Sequence, residues 1–236
     1  MQTGMATTER NKKLVTLFCH AMFCKGYSTT AIYDSFNANV ANGVKKIQAD
    51  MGMPQTGVVT PLLMKAVFNT DSYVLSSKGD ARIREIQQAM NNGYSEYSGI
   101  NPCDGIYSRA TNKALIYAIQ KEEGISVENS APSFGQTTFS LFPTLPFTGD
   151  SKETGKNEAN ITKILQYALY VNAMYAGDFD GVYSATVSEA VQKFQTFMAY
   201  PGNTTTYADA RVMKGLLASC GDTSRLCTCL LYTSDA

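Results

Sequence analysis

Two carboxylates flanking one bond are the minimum for glycosidic hydrolysis, and Asp178 and Asp180 are the pair whose spacing comes nearest to it. Both sit in a turn, where an aspartate already has a structural reason to be present, and no cleft-forming pattern surrounds them. His20 is the only histidine. A zinc peptidase draws several ligands from histidine, so this chain lacks the means to build such a site by itself. A Cys–His nucleophile would have to use the same His20, which falls within an apolar helical stretch beside Leu17 and Met22. The six cysteines are Cys19, Cys24, Cys103, Cys220, Cys227 and Cys229. Their spacing is irregular, Cys19 and Cys24 would lie on poorly matched faces of one helix, and Cys227-x-Cys229 is one residue short of a redox or metal pair. They read as mostly buried thiols. No catalytic residue, no metal ligand and no cofactor is expected.

What remains is binding. The stretch Tyr94, Tyr97 and Tyr107 reads as an exposed, tyrosine-rich face that would suit a sugar ring, in a chain with 14 tyrosines and no tryptophan. Asp104, Gln120, Asp180, Tyr183 and Gln195 recur in equivalent places and are the other candidates for ligand contact. Each also has a packing reading. Asp-Gly makes a tight turn, and an aromatic just after it is more often a core plug than a platform. Lys+Arg and Asp+Glu both number 20, so no net charge draws the molecule toward nucleic acid or an anionic membrane. An uncharged glycan is compatible with that balance. The apolar run from Leu14 to Phe23, preceded by Arg10, Lys12 and Lys13, imitates a signal peptide but lacks a small-x-small cleavage site, and no run approaches the ~20 residues of a membrane span.

The elements that would hold these residues come in three copies. Each opens with an amphipathic helix: Leu14, Leu17, Phe18 and Ala21; then Ile83, Ile86 and Met90; then Ile161, Ile164, Leu165, Ala168 and Leu169. Gly26-Tyr27 and Gly93-Tyr94 are expected to close the first two. A turn follows, Asp104-Gly105-Ile106-Tyr107-Ser108 in copy two and Asp180-Gly181-Val182-Tyr183-Ser184 in copy three, with a looser Tyr33-Asp34-Ser35-Phe36-Asn37 in copy one. Its last residue should cap a middle helix that ends in Gln48, Gln120 or Gln195. Thr60-Pro61 signals the start of a third helix in copy one. Copy two has a Ser/Pro/Phe-rich insertion from Ser126 to Ser133 before its own. Phe36, Tyr107 and Tyr183 are 71 and 76 residues apart, which is the size of a small three-helix domain rather than of a thin solenoid repeat.

This pattern resembles the bacterial peptidoglycan-binding domain family, a three-helix module carrying D-G-x-F-G-x-x-T-x-x-A-V-x-x-F-Q. Copy three keeps Asp180, Gly181, Tyr183, Ala190, Val191, Phe194 and Gln195; copy two keeps Asp104, Gly105, Tyr107, Thr111, Ala114 and Gln120. Copy one keeps Phe36, Val44 and Gln48 without the Asp-Gly pair in register. The resemblance implies an all-α chain of three tandem three-helix modules, at 1–76, 77–150 and 151–222, joined by short tethers at Ser76–Gly79 and Gly149–Gly155. It implies non-catalytic binding to the glycan or stem peptide of peptidoglycan, in an extracellular or wall-bound setting. Tandem copies of this sort are also similar to the N-terminal half of secreted proteins with a glycoside-hydrolase-like C-terminal domain, so the chain is expected to be the binding part of a larger parent. Residues 223–236 fit no copy and read as a non-native or truncated tail. Two alternatives stay open: the binding half of a wall hydrolase, or an interaction module that has lost glycan binding.

Overall fold

The computed structural model describes residues 1–27, 31–69, 72–147, 156–175, 177–200 and 204–218. Cys220, Cys227, Cys229, the Gly149–Gly155 linker and the tail lie outside the described residues. Those described form nine α-helices and no strand, so the fold is all-α. The helices are α1 Glu9–Cys24, α2 Ala38–Asp50, α3 Pro61–Phe68, α4 Ala81–Ser98, α5 Arg109–Glu122, α6 Gln136–Leu141, α7 Glu158–Val171, α8 Ala185–Phe197 and α9 Ala210–Ala218. A 3₁₀ turn, Val127–Asn129, sits in the Ser/Pro/Phe-rich insertion.

The starts of the helices follow from capping. Asn37, Ser108 and Ser184 each accept hydrogen bonds from the first backbone N–H groups of α2, α5 and α8. Thr60 does the same for α3, with Pro61 at the first helical position. Ends are less obedient. α1 stops at Cys24 and Gly26 takes φ +79°, as expected of a closing glycine. α4 instead runs straight through Gly93-Tyr94 and closes at Gly99, whose φ is +77°. The buried face of α1 is also turned by one position from the expected one: Val15, Phe18, Cys19 and Met22 are buried, whereas Leu17 is 55% exposed. His20 is exposed on the same helix, and Cys24 is exposed while Cys19 and Cys103 are buried.

The chain divides into two compact units, residues 1–105 and 106–236. That division falls inside the Asp104–Ser108 turn and not at 76/77 or 150/151. In the first unit Phe18, Met22, Phe36, Val40, Ile47, Leu63 and Tyr73 form one core. α4 is fastened to the end of α2. Arg84 donates to the Asp50 carboxylate (2.9 Å) and to the carbonyls of Tyr73 (3.1 Å) and Cys103 (3.0 Å). Gln88 donates to the Asp50 carbonyl and Asn91 to the Met51 carbonyl. The expected tether at Ser76–Gly79 is pinned: the Ser76 N–H donates to Asp104 O (2.9 Å) and the Asp80 N–H to Gly105 O (2.8 Å). Short polar residues read as slack only until a neighbouring turn offers partners for their backbone.

In the second unit α5 packs against α7, and α9 packs against α5, α6, α7 and α8. Leu145 and Ala208 exchange backbone hydrogen bonds of 2.8 and 2.9 Å. Asn112 on α5 donates to the Leu217 carbonyl on α9 (2.9 Å). Helices α5 and α6 therefore share a core with α7 and α9.

Candidate functional site

The Asp-Gly turns are held by a side chain that the motif does not contain. Gln87 on α4 donates from Nε2 to Asp104 Oδ1 (3.0 Å) and accepts at Oε1 from the Gly105 N–H (2.9 Å). Gln166 on α7 repeats this with Asp180 Oδ1 (2.7 Å) and the Gly181 N–H (2.9 Å), and adds the Val182 carbonyl (3.1 Å). Both glutamines have no exposed surface. A neutral amide that gives and accepts at once satisfies a buried turn without burying a charge. The glycine is required on two counts. Gly181 has φ +76°, and a Cβ there would lie 2.6 Å from the Ala159 carbonyl oxygen at the start of α7. Copy one has Cys19 where the other first helices have glutamine, and it lacks the Asp-Gly pair as well.

The motif glutamines of the middle helices form a second set of clamps. Gln48 binds Thr56, Gly57 and Val58; Gln120 binds Ala131, Ser133 and Thr138; Gln195 binds Thr205 and Tyr207. Each fixes the loop that leads to the third helix. Gln120 and Gln195 are 3% and 5% exposed, so their amides face inward.

The aromatic positions diverge. Tyr107 is 1% exposed with its hydroxyl donating to Asn112 Oδ1 (2.6 Å), a core plug with a satisfied polar end. It corrects the expectation of an exposed face made from Tyr94, Tyr97 and Tyr107. Tyr94 and Tyr97 are half-buried on the last turns of α4. Phe36 is buried. Tyr183 is only half-buried, its hydroxyl donating to Thr206 O (3.0 Å), because Phe179 fills the core against Tyr167 and Tyr170 at centroid distances of 4.8 and 5.4 Å. Burial pushes the Tyr183 phenol up from its ordinary value, so it stays a neutral hydrogen-bonding group.

Among the described residues, the turn of copy three opens onto a cleft. Gly181, Val182 and Tyr183 line one side, and Pro146, Lys156, Asn157, Glu158 and Ala159 the other, around about 690 Å³. Val182 is 57% exposed. Lys156 donates to the Leu141 carbonyl, Glu158 Oε1 accepts from the Phe147 N–H (2.7 Å), and Asn157 caps α7. The Gln166 amide beside Asp180, with the Val182 N–H, holds that carboxyl below its usual range, so it stays ionised and is not poised to deliver a proton. Among the described residues no three His, Cys, Asp or Glu side chains gather closely enough to hold a metal ion, and no helix is long and apolar enough to cross a membrane. The arrangement offers an aliphatic patch, a tyrosine ring and a few fixed polar groups. That is equipment for binding.

The cleft residues Lys156, Asn157, Glu158 and Val182 were not legible as site residues, because only the fold brings the head of α7 to the turn. Val182 did leave a signal, an aliphatic side chain at the turn position between glycine and tyrosine. So did the clamps, since Gln87 and Gln166 each stand three residues before an apolar position of the first helix, Met90 and Leu169.

Residues 76–216 match the FadG/YbfG, PGDB-like domain family, a peptidoglycan-binding-like fold. The chain belongs to this family. It is 47% identical over 208 residues to the uncharacterized protein YbfG of Bacillus subtilis (strain 168), covering 87% of this chain and 27% of that protein. It is 39% identical over 222 residues to the uncharacterized protein FadG of the same strain, covering 93% of this chain and 37% of that one. The chain thus spans well under half the length of the curated relatives it matches. No solved structure matches it.

Proposed function

We propose that this chain binds bacterial cell-wall peptidoglycan without catalysis and holds the polypeptide it belongs to at the wall, outside the cell. The observation that carries this reading is the cleft of copy three. On a peptidoglycan-binding-like fold, the motif turn is locked from below by Gln166, and its outer side presents Val182 and the Tyr183 ring toward the head of α7. A surface fixed before the ligand arrives loses little entropy on binding, which is what a weak, repeated contact with a polymer requires. The relatives' greater length favours a further domain in the parent, and a wall hydrolase is the reading in which this part supplies attachment alone.

Sedimentation with purified sacculi tests the proposal. The chain should pellet with them, and Val182→Asp should remain in the supernatant while keeping its helical circular dichroism. Failure of the unaltered chain to pellet at high protein concentration would point to an interaction module instead. A cleared zone in a sacculus zymogram would overturn the non-catalytic reading.

A further inference from the structure

A second cleft lies in the first unit, largely on residues that precede the family match at 76–216. It sits between the ends of α1 and α3, encloses about 520 Å³ and falls within the range of small-ligand sites. Phe68 and Val74 stand at its mouth, 44% and 52% exposed. The Phe68 ring rests edge-on against the buried Phe18 at a centroid distance of 6.5 Å, which holds its outer face in place. Asn69 and Ser72 are exposed beside it and bring an amide and a hydroxyl. The Lys25 ammonium lies 5.4 Å from the centroid of Tyr73, whose buried ring forms the floor.

We infer that this cleft is a second glycan subsite that takes an N-acetylated amino sugar. The proposal rests on the wall-binding reading and narrows it to the sugar rather than the peptide. An exposed aromatic face beside an aliphatic one suits the C–H face of a pyranose. The Asn69 amide gives and accepts as an acetamido group requires. The Ser72 hydroxyl stands beside that amide and adds a partner for a ring hydroxyl, so the polar groups named here pair with hydroxyl and acetamido groups.

Titration of the isotopically labelled full chain with N,N′-diacetylchitobiose, followed by NMR, tests this. Shifts at Phe68, Asn69 and Val74 that saturate with sugar are the expected result. Cellobiose, which lacks the acetamido groups, should bind more weakly at the same residues; equal binding would overturn the assignment to an amino sugar. Val74→Glu, a surface change that spares the Phe18 contact, should weaken the sugar by about tenfold, the worth of losing ~50 Å² of apolar contact. Absence of shifts at these three residues with millimolar sugar, in a chain that still pellets with sacculi, would overturn the subsite and leave wall binding standing. Shifts here in a chain that fails to pellet would leave the sugar cleft and remove the wall.

Discussion

Gln166 carries more of the candidate site than any residue that faces it. Its side chain makes three hydrogen bonds to the turn, and replacement by leucine strands the Gly181 N–H in a buried place. Gln166→Leu should cost about 2–3 kcal/mol in urea unfolding, the penalty of an unsatisfied buried donor plus lost partners. The same change should raise the Asp180 titration toward the ordinary aspartate value, measured by carboxyl-carbon NMR, because the amide is the chief cause of its depression. Glu123 gives the opposite dependence. It is 8% exposed, neither carboxylate oxygen has a hydrogen-bond partner among the described residues, and burial pushes its pKa up to about 8 despite the nearby Lys156. A raised acid contributes stability that is complete below its unfolded value, near 4.3, and is lost as pH climbs through the folded one. Melting temperature should therefore fall between about pH 4.5 and 8 in the native chain, and Glu123→Gln should flatten that slope and raise the melting point at pH 8. A slope unchanged by the substitution would show that another group is responsible.

At the scale of elements, helix starts were legible, and of the two expected ends Gly26 closes α1 while Gly93 does not close α4. A cap is local chemistry: Ser108, Ser184 and Thr60 each need only a backbone N–H three residues on. Ser108→Ala should cost about 1 kcal/mol, read as a shift in the unfolding midpoint. An end depends on whether the chain has anything further to bury. Gly93 looked like a terminus, yet Asn101 and Ile100 are buried beyond it, and the Asn101 N–H donates to Asn91 Oδ1 (2.6 Å), which rewards another turn of helix before Gly99. The same limit applied to the site. Spacing exposed the Asp-Gly-x-Tyr turns, but the cleft is lined where Gly181 meets Ala159, and that meeting joins residues more than twenty positions apart. Gly181→Ala should cost about 2–3 kcal/mol through strain at positive φ and the close carbonyl, and should abolish sacculus pelleting even where the module stays helical.

For the whole molecule, periodicity led to an expectation of three separate modules and carried no sign of which helices share a core. The pattern is legible because the caps Asn37, Ser108 and Ser184 and the glutamines Gln48, Gln120 and Gln195 are local devices that recur in the same order. Packing follows apolar faces instead, and α5 finds its cover in α7 and α9. A fragment of residues 77–147 should consequently lack a cooperative melting transition, since α5 and α6 would keep their apolar faces but lose the helices that cover them. A sharp transition in that fragment would mean that copy two closes a core of its own.

The clamps beneath the turns are amides, not ion pairs. Electrolyte has little purchase on such joints, because screening acts between charges and a glutamine has none to screen. A protein working among fixed ionic polymers, where local salt and counter-ion levels swing widely, would thereby keep the shape of its contact surface through every swing.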